Sequence, residues 1–179
     1  MDELQLIEGC RKGDRRAQKA LYETYSRKMM SVCLRYVSDW ETARDLLQEG
    51  FVKVFTHIDS YTGNGSFEGW IRKIFVNSAL EYLRHADVLR ESTDLDQTAE
   101  VAQTDSSPLS DISAAELMQL VQSLPAGFRT IFNLFAIEGY SHKEISERLH
   151  ITESTSRSQY TRAKQLLQRK VNALYGERR

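Results

Sequence analysis

Cysteine, proline and histidine are scarce in this chain. Its 179 residues hold two cysteines, two prolines and four histidines. Cys10 and Cys33 are far from any CxxC or histidine spacing, so the sequence supports neither a disulfide framework nor a zinc site. We expect two reduced, packed thiols.

Further absences narrow the class of function. The sequence has no signal peptide and no apolar run of about 18 residues, which predicts a soluble cytoplasmic protein. It has no glycine-rich phosphate loop and no nucleophile motif. The four histidines, His57, His85, His142 and His150, are scattered without metal-ligand spacing. These absences disfavour an enzyme and predict that the chain binds no cofactor and no metal.

Charge is distributed unevenly along the chain. The net charge is only -1, yet residues 141–179 carry nine basic and four acidic side chains, and residues 91–116 carry seven acidic and no basic ones. A basic tail is therefore cancelled by an acidic middle. The distribution favours a nucleic-acid partner for the tail, although the average does not.

Apolar periodicity predicts an all-helical first domain, residues 1–87. A short helix is expected near residues 3–11, and a long amphipathic helix follows the N-cap Asp14 as far as Tyr36. Another helix is expected from about Trp40 to His57. The last covers residues 70–85, after a loop rich in small residues.

The periodicity stops between the two helical parts of the chain. Residues 88–112 are polar and acidic and contain Pro108, so they bury too little apolar surface to offset the entropy of ordering them. We expect a flexible acidic linker. The predicted fold is all-α, with two small helical domains joined by this linker.

A second helical domain is predicted for residues 113–179. One helix runs to about Ser123, and the next begins at Pro125 and ends at Gly139. Ser141 and Glu144 form a capping box for a short helix. After a tight turn, Thr152 can cap a last helix that runs towards Val171.

The last two helices form a helix-turn-helix pattern. In the last helix, Ser156, Tyr160 and Ala163 fall on one inward stripe with Leu167. The opposite face then presents Thr155, Arg157, Ser158, Gln159, Thr161 and Arg162. Short hydroxyls allow a close approach to phosphates, and Gln and Arg can reach base edges, so this face favours major-groove DNA over a merely solvated helix.

Three segments resemble sigma factors of the extracytoplasmic-function group of the sigma-70 family. Residues 45–55, DLLQEGFVKVF, and residues 65–84, GSFEGWIRKIFVNSALEYLR, are similar to region 2 of that family. Residues 123–167, from SLPAGF to AKQLL, are similar to its region 4. The segments stand in the family's order, and the resemblance covers nearly the whole chain.

The resemblance implies a role for each of three residue sets. The first set would bind the clamp helices of the largest RNA polymerase subunit: Asp45, Gln48, Glu49 and Lys53. The second would bind the minus-10 element, with the loop from Tyr61 to Phe67 holding a flipped non-template base: Tyr61, Asn64, Phe67, Trp70, Arg72, Lys73, Asn77 and Ser78. The third would bind the minus-35 duplex: Thr155, Arg157, Ser158, Gln159, Thr161 and Arg162.

The aromatic members of the second set have an alternative role. Phe67, Trp70 and Phe75 can equally be core side chains, and for Trp70 the two interpretations are balanced. Asn77 is the favoured contact, because a polar amide in an apolar helix needs a partner.

The resemblance also implies partners. These are core RNA polymerase, through its clamp helices and flap, promoter DNA as duplex and as single non-template strand, and an anti-sigma factor. The linker would thread the RNA exit path, where carboxylates such as Asp94 and Asp96 could mimic RNA phosphates. The recognition helix departs from the family, since Ser154, Thr155 and Ser156 stand where Gly-Thr-Val is common and Gln159 where a basic residue is common.

A stand-alone helix-turn-helix regulator is the alternative function. Such a protein would bind duplex DNA tightly without polymerase, usually as a dimer. It leaves residues 45–55 unexplained, and the chain has no evident dimerisation heptad.

Overall fold

The computed structural model describes residues 2–86 and 112–176. Within these residues the chain is helical and has no strand, which confirms the all-α prediction. Packing of the Cα trace divides the chain into two compact units, Met1–Tyr82 and Leu83–Arg179. The predicted linker lies outside the described residues, apart from Ile112. Among the helices described, none is both long and apolar enough to cross a membrane.

The first unit is built from four α-helices and a short 3-10 turn. In chain order they are α1 (Glu3–Arg11), α2 (Arg15–Tyr36), α3 (Trp40–His57), the turn Ile58–Ser60 and α4 (Phe67–His85), whose last three residues follow the boundary at Tyr82. An aspartate begins each of the first three helices by accepting a backbone N–H: Asp2, Asp14 and Asp39. Helix α4 begins three residues earlier than predicted, because the Ser66 hydroxyl accepts the Gly69 N–H at 3.1 Å.

Helix α2 is the centre of the first unit and packs against α1 and α3. Its buried stripe includes Leu21, Met29 and Tyr36. Aromatic side chains join α4 to this core, since the Phe75 ring lies edge-on to Phe51 of α3 at 5.3 Å between centroids. The core thereby fixes the positions of α3 and α4, which carry two of the three predicted site sets.

The second unit contains α5 (Ala114–Gln122), α6 (Ala126–Phe132), α7 (His142–Leu149) and α8 (Glu153–Gly176). The helix predicted to continue to Gly139 instead changes after α6 into a π-helical turn, Asn133–Ile137. There the Glu138 N–H donates to the Asn133 carbonyl at 2.9 Å, five residues back, and Gly139 ends the turn at φ 78°. Helix α8 runs five residues beyond the predicted Val171.

The core of the second unit joins α8 to α5 and α6. Its buried members are Leu120, Val121, Leu124, Phe128, Ala163, Leu167 and Val171. Arg129 is also buried, and its guanidinium donates to the carbonyl of Gln122, the last residue of α5, at 2.8 Å. Burial lowers the pKa of Arg129. The side chain ties the end of α5 to α6.

Candidate polymerase and nucleic-acid interfaces

The predicted polymerase-binding residues lie along α3. Asp45, Gln48 and Glu49 are exposed, while the buried side of the same helix carries Leu46 and Phe51. Because side chains three and four residues apart share a helix face, Asp45, Gln48 and Glu49 form one polar surface. We call Asp45, Gln48 and Glu49 the α3 polar face.

Lys53, the fourth predicted polymerase contact, connects this face to α4. Its ammonium group is 2.7 Å from a Glu49 carboxylate oxygen and 2.9 Å from one of Glu81, and it donates to the Ser78 hydroxyl at 3.2 Å. Burial acts to lower the pKa of Lys53, but the two carboxylates outweigh it and the pKa is raised. Lys53 therefore stays charged and bridges the two helices.

Lys53 also lines a cleft between α3 and α4. The cleft has a volume of about 300 Å³, and its walls include side chains from both predicted sets in this unit. Its lining residues are Lys53, His57, Ser60, Trp70, Ile74, Asn77, Ser78 and Glu81. An aromatic ring, an amide, a hydroxyl and a cation face one space, which suits an unstacked nucleobase and its phosphate.

Two apolar side chains on α3 are exposed, and one of them, Val52, lies on the side of the polar face. Trp40 is 59 % exposed and Val52 is 64 % exposed. The sequence analysis did not predict that either side chain is exposed, although Val52 follows Gln48 by four residues and so lies on the same helix face. Large exposed apolar groups at a polar rim are common in protein interfaces.

The loop between the 3-10 turn and α4 is closed by Tyr61. The Tyr61 hydroxyl donates to the Gly65 carbonyl at 2.8 Å, across the loop. Residues 62–66 are exposed, and both loop glycines, Gly63 and Gly65, have positive φ values of 83° and 80°. Glycine suits such conformations because it has no Cβ. Asn64 therefore lies at the exposed tip of this loop. We call residues 61–66 the base loop.

The aromatic residues of the second set form a stack that reaches the cleft. Phe67 is fully buried, with its ring parallel to Trp70 at 5.6 Å and 5.0 Å from Tyr61. Tyr61 and Ser78 are buried as well, whereas Trp70 is half-buried. The DNA contacts predicted for Phe67, Tyr61 and Ser78 stay predictions. In this structure Phe67 packs beneath Trp70, Tyr61 closes the loop, and Ser78 lines the cleft.

The remaining residues of the second set lie on the outer part of α4. Asn77 and Lys73 are exposed, and Arg72 is half-buried. Asn77 borders the cleft on the same side as Trp70. The structure thus brings Trp70 and Asn77 together, as predicted, and adds Lys53, His57 and Glu81, which the sequence did not assign to this site.

In the second unit, α7 and α8 form the predicted helix-turn-helix. The capping box is present: the Ser141 hydroxyl accepts the Glu144 N–H at 3.2 Å, and the Glu144 carboxylate accepts the Ser141 N–H at 2.8 Å. Helix α7 ends at His150 in the left-handed conformation, φ 55°. The Thr152 hydroxyl then accepts the Thr155 N–H at 3.1 Å and caps α8.

Most of the predicted minus-35 residues are accessible on α8. Arg157, Ser158, Thr161 and Arg162 are exposed, and Thr155 is half-buried. Arg157 pairs with Glu153 at 2.9 Å, one turn earlier. Ser158 and Thr161 donate to α8 carbonyls at 3.1 and 3.0 Å, so their hydroxyl oxygens remain at the surface as acceptors.

The exposed position predicted for Gln159 is wrong. Gln159 is buried, with 8 % of its surface exposed, and lies on the inward side of α8 with Ser156 and Ala163. A helix turns by about 100° per residue, so Ser156 and Gln159, three residues apart, share a face. The outer face of α8 is therefore narrower than predicted.

An aromatic cluster holds α7 against α8. The His142 ring stacks on Phe135 at 4.3 Å, and Tyr160 lies 4.5 Å from Phe135. A His142 ring nitrogen, Nδ1, is 2.9 Å from the Ser156 hydroxyl oxygen. Burial, followed by the charge of Arg157, lowers the pKa of His142, although Glu153 opposes the shift. We call His142, Phe135, Tyr160 and Ser156 the helix clasp.

Metal-ligating residues are not grouped in the described ranges. Across residues 2–86 and 112–176, no three His, Cys, Asp or Glu side chains come together in a way that could hold a metal ion. Cys10 and Cys33 are free and buried, and burial raises the pKa of both thiols, that of Cys33 to about 12.

Two family models match this chain. The one described as Sigma-70 region 2 matches residues 21–88, and the one described as Sigma-70, region 4 matches residues 114–167. The first covers α3, the base loop and α4, and the second covers the helix-turn-helix. Both matches coincide with the segments that carry the predicted sites.

Curated relatives extend the match to almost the full length. The ECF RNA polymerase sigma-E factor of Escherichia coli K12 is 31 % identical, with 94 % of each chain covered. The RNA polymerase sigma-H factor of Pseudomonas aeruginosa is 29 % identical, over 97 % of this chain and 95 % of the relative.

The fold is similar to a solved structure. The sigma factor RpoE of Bartonella quintana, solved in complex with the anti-sigma factor NepR, superposes with a TM-score of 0.50 at 18 % identity, covering 84 % of this chain and 94 % of that one. The family models, the relatives and the order of the two units agree. This chain belongs to the extracytoplasmic-function group of the sigma-70 family of RNA polymerase sigma factors.

Proposed function

We propose that this alternative sigma factor divides its work between its two units. The first unit binds core RNA polymerase through the α3 polar face and opens the minus-10 region at the α3–α4 cleft. The second reads the minus-35 duplex with α8. The observation that carries this proposal is the cleft, which places Trp70 and Asn77 beside Lys53, one turn along α3 from Glu49 of the polar face.

The cleft has the chemistry needed to hold an unstacked base. Removing a base from the helix costs a few kcal/mol, which stacking on an aromatic ring and hydrogen bonds from an amide can offset. Trp70 supplies the ring and Asn77 the amide, while the exposed Asn64 at the tip of the base loop contacts a neighbouring flipped base. Arg72, Lys73 and Lys53 supply positive charge for the strand's phosphates.

Helix α8 has the chemistry needed to bind the major groove. Arg157 and Arg162 are exposed cations, and Thr155, Ser158 and Thr161 are short side chains that permit close approach to phosphates. Gln159 is left out of the base-reading set because it is buried. Base readout then rests mainly on the two arginines, which prefer guanine edges.

The partners follow from this division. Core polymerase supplies all chemistry, so the chain itself is not an enzyme, and it needs no cofactor. It contacts the clamp helices and the flap of polymerase. It acts in the cytoplasm, where polymerase and the promoter are found. An anti-sigma factor holds it inactive, as the solved relative in complex with such a factor suggests.

We propose domain boundaries of 1–87 and 113–179, with residues 88–112 as the linker. The 25 residues from 88 to 112 are enough chain for the two domains to occupy separate promoter elements. Its carboxylates, including Asp94 and Asp96, would line the path of the emerging RNA.

Run-off transcription with purified core polymerase tests the function. A library of linear promoter fragments is transcribed with core alone and with core plus the chain, and the transcripts are sequenced. We expect specific start sites only when the chain is present. A chain with all of Asp45, Gln48 and Glu49 replaced by alanine is the control for core binding, and it should give the pattern of core alone.

Duplex binding separates this proposal from a stand-alone regulator. Because α8 offers few phosphate contacts, the free chain should bind promoter weakly and lose what binding it has as salt rises. Tight, polymerase-independent binding together with unchanged initiation would contradict the proposed function.

A further inference from the structure

Arg11, at the end of α1, contacts the backbone of the base loop. Its Nη2 donates to the Tyr61 carbonyl at 2.6 Å, although the two residues are 50 positions apart in the chain. Its Nη1 donates to Glu8 at 2.8 Å, and its Nε is 3.9 Å from an Asp59 carboxylate oxygen. The Arg11 side chain is 30 % exposed. Its guanidinium connects α1 to Asp59 and to Tyr61, the first residue of the base loop.

The base loop needs an anchor at this point. Its residues 62–66 are exposed, and Gly63 and Gly65 leave its backbone with wide conformational freedom. The hydroxyl of Tyr61 bonds to Gly65, and its ring packs 5.7 Å from Trp70. The orientation of Tyr61 therefore determines whether its hydroxyl can close the loop on Gly65, and it fixes the ring that packs beside Trp70.

Helix α1 does not depend on Arg11 for its own position. Leu6, Ile7 and Cys10 are buried under it, and the Asp14 N–H donates to the Gly9 carbonyl at 2.9 Å where α1 meets α2. A chain without the Arg11 guanidinium should keep α1 docked and lose chiefly the contact with Tyr61.

We infer that Arg11 is a positioning residue for minus-10 base selection: its hydrogen bond to the Tyr61 carbonyl holds the base loop in the conformation that accepts the flipped base. This inference rests on the proposed function. Its physical basis is preorganisation, because a loop already fixed in its binding conformation loses less entropy when the base enters.

Base discrimination by holoenzyme tests the inference. Fork-junction promoters that differ only at the loop-facing non-template base are compared, with the preferred base taken from promoters that the holoenzyme uses. The readout is the ratio of open-complex formation on preferred and substituted templates. A general loss of folded protein lowers both rates equally and leaves this ratio unchanged.

Four variants make the result specific. Arg11→Met removes the donor but keeps much of the side-chain length, and Arg11→Lys restores a charged donor. Lys12→Met removes the same charge from the neighbouring exposed residue and is the matched control. Asn64→Ala removes a side chain at the tip of the base loop and tests the loop itself.

We expect Arg11→Met to lower the discrimination ratio about tenfold, a size that a hydrogen bond from a charged donor can supply. Arg11→Lys should recover part of the ratio, and Lys12→Met should match the wild type. If the ratio is unchanged for Arg11→Met but reduced for Asn64→Ala, the role of Arg11 is overturned and the proposed base loop stands. Unchanged ratios for both variants overturn that role together with the proposed base loop.

Discussion

Among the described glycines, Gly50 of α3 has the least room for a side chain, because Phe75 of α4 packs directly against it. A Cβ placed there would lie 2.2 Å from Cε1 of the Phe75 ring. Phe75 is itself fully buried and packs against Phe51. The missing side chain therefore allows the aromatic core to sit directly beneath the helix that carries the α3 polar face.

We expect Gly50→Ala to destabilise the first unit by about 2 kcal/mol, because overpacking against a fixed ring outweighs the better helix propensity of alanine. Urea unfolding followed by tryptophan fluorescence measures this directly, since both tryptophans, Trp40 and Trp70, lie in the first unit. Gly69→Ala is the control. Its Cβ would meet only the Ser66 hydroxyl, at 2.9 Å, so it would weaken the cap of α4, a cost of about 1 kcal/mol, without overpacking a ring. Equal midpoints for the two variants would contradict the packing argument.

At the scale of helices, the sequence predicted starts and buried stripes well. Asp14 and the Ser141–Glu144 pair were identifiable because capping depends on residue type and on a local spacing. The stripe Ser156, Tyr160 and Ala163 followed from the helical repeat alone. These features are local, so a single sequence contains the information needed to find them.

Features that depend on depth or on distant contacts were not predictable in this way. The helical repeat places Gln159 at the edge of the Ser156–Tyr160–Ala163 stripe, and the repeat alone does not say how deeply a residue at that edge is buried. The contact between Arg11 and Tyr61 joins residues 50 positions apart, and no local pattern announces it. The π-helical turn after Phe132 likewise departs from the repeat that was extrapolated to Gly139.

The helix clasp predicts a pH dependence for the second unit. The pKa of His142 is lowered in the folded chain, so the unfolded chain binds the proton at higher pH. Stability from this residue is present above its ordinary pKa of 6.5 and is lost as the pH falls from there towards the lowered native value. Protonation would also place a second cation near Arg157.

Thermal melts of the full chain at pH 7.5 and 5.5 check this expectation. The second unit is followed as the circular-dichroism transition that has no accompanying change in tryptophan fluorescence. The Tm difference between wild type and His142→Asn should be larger at pH 7.5 than at pH 5.5. A difference that does not change with pH would mean that the clasp acts by packing alone.

At the scale of the whole chain, the distribution of charge along the sequence matches the roles proposed for the two units. The net charge of -1 combines a basic stretch at residues 141–179 with an acidic one at residues 91–116. Helix α8, the proposed duplex-binding helix, lies in the basic stretch, while the proposed base site in the first unit relies on a ring and an amide rather than on dense positive charge. We therefore expect specific promoter binding to require polymerase, which brings both units to the DNA.

Two single substitutions, one in each unit, should impair different steps of initiation. Asn77→Ala should leave core binding intact and slow open-complex formation about tenfold, because the exposed base loses a hydrogen-bond partner. Arg162→Ala should weaken binding to the minus-35 duplex and reduce the slope of log affinity against log salt by about one if it contacts a phosphate. Permanganate footprinting measures the first effect, and holoenzyme binding to promoter duplex measures the second.

The promoter itself supplies the control for this separation. On a template that lacks the minus-35 element, Arg162→Ala should match the wild type, whereas Asn77→Ala should remain slow. Since the two residues lie in different compact units and act at different steps, the free-energy effects should add in the double variant. Equal loss from Arg162→Ala on both templates would remove α8 from minus-35 reading, and unchanged melting in Asn77→Ala would remove Asn77 from strand opening.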